Sequence, residues 1–64
     1  MTPEEIIARM RVSADYHERI AAMAEDRDVR AQHAYAAKVM RVVADEIEGT
    51  IQINQDQNKA RLAR

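Results

Sequence analysis

The chain has 64 residues, a formal net charge of −1, no Cys, Phe or Trp, and a single Gly and a single Pro. That length allows one domain, the missing Cys excludes a disulfide framework, and the near-zero charge supplies no field to draw in nucleic acid or an anionic membrane. Abundant Ala, Glu, Arg, Met and Gln favour helix, and the scarcity of Gly and Pro argues against β-turns.

Thr2-Pro3-Glu4-Glu5 is a helix-start signal. Thr2 can cap, Pro3 fits the first helical position, and Glu5 completes a capping box. Both glutamates face the positive end of the helix dipole. The same opening lacks the basic and apolar regions of a signal peptide. No apolar run is long enough to span a bilayer, so a cytoplasmic protein is expected.

Ile6, Met10, Ser13, His17, Ile20 and Ala24 then recur at alternating spacings of four and three, a heptad stripe. Continuing the count gives Arg27, Ala31, Ala34, Lys38 and Arg41, so the stripe ends. It restarts in a new phase with Val29, His33, Ala36, Met40, Val43, Ile47, Thr50 and Asn54. The shift of one residue rotates the stripe by roughly 100°. A turn over residues 25–28 absorbs that rotation, and Asp28 is a good N-cap for a second helix. The predicted fold is all-α, an antiparallel helical hairpin with helix 1 over residues 3–25 and helix 2 over residues 28–62. The alternative is one long helix carrying a skip residue in a coiled coil.

Both helices are apolar beyond one stripe. Ile7, Ala14 and Ala21 flank the first on one side; Val12, Tyr16 and Met23 flank it on the other. Tyr35, Val39 and Val42 widen the second. A two-helix hairpin covers one stripe only, so faces this wide predict a homo-oligomeric helical bundle of at least four helices. A chain this small needs some such support, because its own core is limited. Its first expected partner is therefore itself.

All the aromatic rings lie in residues 15–35, with Tyr16 and His17 nearly as far from Glu25-Asp26 as His33 and Tyr35. In an antiparallel hairpin they fall within about one helical turn of each other, and a dimer would carry a belt of eight. One reading packs and hydrogen-bonds the histidines in the core and leaves the tyrosine hydroxyls wet. The other makes a pocket between subunits, where rings stack on a base and Arg9, Arg19, Arg30, Lys38 or Arg41 meets a phosphate. Tyr16, His17, His33, Tyr35 and those five cations are the candidate ligand-binding residues. If the histidines are buried and neutral, protonation below about pH 6 weakens the assembly.

Catalysis is not expected. Ser13 and His17 share a face, but Asp15 points away, so no triad forms locally. The stretch HERIA at residues 17–21 starts like a zinc-protease motif and lacks its second His. Asp45, Glu46 and Glu48 read as an exposed acidic face. No cofactor and no metal is expected.

From Gly49 onward the chain turns polar. "TIQIN" alternates like a strand, but Ile47, Ile51, Asn54, Asn58 and Leu62 fit a helix stripe, and Gly in a helix costs only about 1 kcal/mol. Residues 49–64 are read as a helical C-terminal extension of one 1–64 domain. Asn54 in the stripe can fix register or oligomer order. Lys59, Arg61 and Arg64 set against Asp56 are too small a cluster, with no aromatic beside them, for a nucleic-acid site.

In length and hairpin layout, residues 2–48 resemble the Rop family, RNA-binding proteins that dimerise into four-helix bundles. The RNA-binding face of that family and its aromatic have no counterpart here. The size of the chain, Tyr16, the Asp26-Arg27-Asp28 turn, and His33 with Met40 are similar to the small helical-hairpin proteins that phages encode. Some of those oligomerise and sequester cyclic nucleotide immune signals. The residues themselves point to a non-catalytic, self-assembling module that regulates or inhibits a protein partner of the host. The resemblances imply two alternatives: a sponge holding a nucleotide-like small molecule between subunits, or a Rop-like RNA binder.

Overall fold

The computed structural model describes residues 1–62, which form helices α1 (Pro3–Met23) and α2 (Arg27–Leu62). They pack side by side in opposite directions, joined by residues 24–26. The hairpin is therefore formed, and the single continuous helix is not. Arg64, a member of the basic tail cluster, lies outside the described residues.

The start of α1 agrees with its signal. Thr2 Oγ1 accepts from the Glu5 N–H at 3.2 Å, and Pro3 opens the helix. The end comes at Met23, two residues before residue 25, with Ala24 already extended (φ −69°, ψ 132°). The cap of α2 also sits earlier than expected. Asp26, not Asp28, takes the role: its Oδ1 accepts from the N–H groups of Asp28 (2.8 Å) and Val29 (3.0 Å). Asp28 lies inside the first turn, where a carboxylate still meets the positive end of the dipole. Arg30 reaches back across the turn. Its guanidinium donates to the Ala24 carbonyl at 3.0 Å and the Glu25 carbonyl at 3.4 Å, satisfying acceptors that the end of α1 leaves open. A cation from the next helix thus does what a C-terminal glycine does elsewhere, and no residue in the turn needs a positive φ.

The line of closest contact is Ile7, Ala14 and Ala21 on α1 against Ala37 and Ala44 on α2. This is one residue away from the predicted stripes. The predicted stripe residues Met10, Ser13, His17, Ile20, His33, Met40, Val43 and Ile47 are half-buried beside it. Size explains the offset. Alanines on the line between two helices let the backbones approach, which pushes larger side chains to the flanks. The cost is a thin core: among the described residues, no large side chain is fully buried.

α2 has 36 residues against 21 in α1, so it continues alone. Residues 52–62 are all exposed, Asn54 included. The helix runs through Gly49 without a break, and a Cβ built there meets nothing within 4 Å. Gly49→Ala is accordingly expected to stabilise the fold by about 0.5–1 kcal/mol, seen as a higher thermal midpoint with unchanged helix content. A lower midpoint would show that the position is not open. No helix among the described residues is long and apolar enough to cross a membrane.

Candidate functional site

The centre of the hairpin holds an imidazole pair. His17 on α1 and His33 on α2 bring their Nδ1 atoms to 2.8 Å. The rings are inclined by 25°, with centroids 5.0 Å apart. That separation is close to the nitrogen–nitrogen distance plus the two ring radii. The rings therefore meet edge on, nitrogen to nitrogen, and not face to face. A bond at this distance needs one Nδ1 to carry its hydrogen and the other to accept it, so the two neutral rings take opposite tautomers. Tyr16 adds an edge contact to His17, with centroids 5.8 Å apart and planes at 70°.

The fourth ring does not join. Tyr35 lies two residues beyond His33, about 200° around the helix, and is 69% exposed on the back of α2. The heights read from the sequence are met; the directions differ. Tyr16, one residue from His17, touches its ring but is itself 61% exposed.

The candidate cations divide in the same way. Arg30 is held in the turn by the Ala24 and Glu25 carbonyls. Arg41 forks onto two carboxylates of α1, Asp15 Oδ1 at 2.6 Å and Glu18 Oε1 at 2.9 Å. Arg11, which apolar spacing does not single out, forks onto Asp45 Oδ1 at 3.0 Å and Glu48 Oε2 at 2.9 Å of α2. These bonds raise both guanidinium pKa values, through Glu48 and then Asp45 for Arg11, and through Glu18 and then Asp15 for Arg41. Arg19 and Lys38 are exposed. Arg9 alone sits with an aromatic: Ala8, Arg9, Val12, Ser13 and Tyr16 line a shallow, open concavity on α1.

The two forks expose a signal that apolar stripes pass over. Residues 10–18 read MRVSADYHE and residues 40–48 read MRVVADEIE. Six of the nine positions are identical, with the Arg, Asp and Glu of each fork among them. Arg11 of the first repeat holds the acids of the second, and Arg41 of the second holds those of the first. The hairpin thus pairs one motif with its own copy, about a pseudo-two-fold axis between the helices. Comparing the chain with itself, before reading apolar spacing, would have found Arg11, Asp15, Glu18, Asp45 and Glu48 together.

Among the described residues, no group of three or more His, Cys, Asp or Glu is placed to hold a metal ion, and no polar side chain is buried. Fold and surface define a two-helix hairpin tied by two cross-helix ion-pair forks, with an imidazole pair at its middle. The chain matches no protein-family model, no curated protein and no solved structure.

Proposed function

We propose that the protein acts by binding and not by catalysis: a self-assembling helical module that regulates or inhibits a protein partner. One observation supports this above others. Large apolar side chains stand on the outward backs of both helices, Val12, Tyr16 and Met23 on α1, Tyr35 and Val42 on α2, each about half exposed or more. Exposed apolar side chains with tyrosine among them, here on the back of each helix, have the composition of protein–protein contact surfaces. The test is co-purification from the native host with lysine pairs on each back, Val12→Lys with Tyr16→Lys and Tyr35→Lys with Val42→Lys. The expected result is a defined partner protein lost from at least one pair while far-UV circular dichroism stays helical. A partner retained by both pairs removes the reading.

A second reading has its own support in the concavity of Arg9, Ser13 and Tyr16. A guanidinium, a hydroxyl and an aromatic ring within two turns of one helix suit a nucleotide-like anion. Such a ligand raises thermal stability by mass action. A panel of mono-, di- and cyclic nucleotides is expected to contain at least one that shifts the midpoint, with the shift lost in Arg9→Ala. A flat panel eliminates this alternative.

A further inference from the structure

The hairpin has an uncovered apolar face. At 100° per residue, Met10, Ser13 and His17 lie on the opposite side of Ala14 from Arg11 and Glu18. Met40, Val43 and Ile47 likewise lie opposite Arg41 and Glu48 across Ala44. Each fork joins the charged side of one helix to the charged side of the other. The two charged sides therefore share one face, and the two apolar sides share the other. Met10 and Met40 line one concavity together with Met1, Ile6 and Ser13, with Arg9 at it as well. Ile6, Val29 and Val39 on or beside this face are each more than a third exposed.

We infer that a second copy of the chain covers this face, packed face to face about a two-fold axis. The inference rests on the self-assembling reading and specifies its interface. Two observations favour a second copy as the occupant.

The first is area. The chain exposes 5320 Å², where a compact monomer of its 7.3 kDa exposes about 4,200 Å². The excess of about 1,100 Å² exceeds the ~800 Å² that each partner gives to a standard interface. The second is symmetry. The pseudo-two-fold that exchanges Arg11 with Arg41 also exchanges Met10 with Met40 and Ser13 with Val43. The face repeats about its own centre, so a copy docked on it meets the same pattern of side chains with its loop at either end.

The test uses the full chain. Sedimentation equilibrium is expected to give a dimer or a multiple of it. Met40→Lys and Val43→Lys, each checked for helix content, are expected to weaken it about tenfold or more, since a desolvated lysine at an interface centre costs at least that factor. Ala22→Lys, on the charged side, should leave it unchanged. A monomer at the highest soluble concentration, or a dimer that tolerates both lysines, overturns the inference. Loss of the host partner from the outward-back variants, with the chain monomeric, would sink this interface and leave the binding function standing. A persistent dimer without any host partner would do the reverse.

Discussion

Enlarging the alanines at the helix contact, by Ala14→Leu or Ala44→Leu, is expected to destabilise the protein by about 1–3 kcal/mol, the usual cost of overpacking. Both residues are fully excluded from solvent, and each faces the other helix where the backbones come closest. Three added carbons have no room unless the helices separate. Separation also strains the forks of Arg11 and Arg41, because both cross the same gap. The loss is large for this chain, since a domain of this size is stabilised by only about 3–10 kcal/mol. Urea unfolding followed by circular dichroism gives the measurement, with Val12→Leu as the control, because Val12 is 68% exposed. Equal midpoints for Ala14→Leu and the control would show that the helices do not meet along the alanine line.

The same alanine line shows what the sequence disclosed and what it withheld. The hairpin was legible because a one-residue phase shift in an apolar stripe cannot be carried through a straight helix. The start at Thr2-Pro3 was legible because capping is local chemistry. Which line of each helix faces the other was not. Stripe reading gives weight to Ile, Met and Val, and so puts Met10 and Val43 at the centre. Contact between two helices alone gives weight to closeness, which favours Ala14 and Ala44. The large residues then fall on the open face, where a further pair of helices would need them. The turn was placed within two residues but capped by the wrong aspartate, since Asp26 and Asp28 are equivalent on propensity and differ only in where the chain bends. The rings were placed at the right heights, yet Tyr35 points away, because height comes from counting and direction comes from the phase of the helix. The reciprocal forks were fully encoded in the repeated MRV-x-AD-x-x-E pattern, and apolar periodicity is blind to them.

Removing one ring of the imidazole pair is expected to cost about 1 kcal/mol for the lost bond. The two Nδ1 atoms meet at 2.8 Å across the hairpin, and both rings are half-buried. A ring left alone keeps a polar nitrogen beside the other helix with nothing to bond there. The measurement is a double-mutant cycle of His17→Ala and His33→Ala, read as urea unfolding followed by circular dichroism. Each single variant is expected to lose stability. The double variant is expected to lose less than the sum of the two, with an interaction energy of at least about 0.5 kcal/mol. Strict additivity would mean that the two rings do not bond to each other in solution.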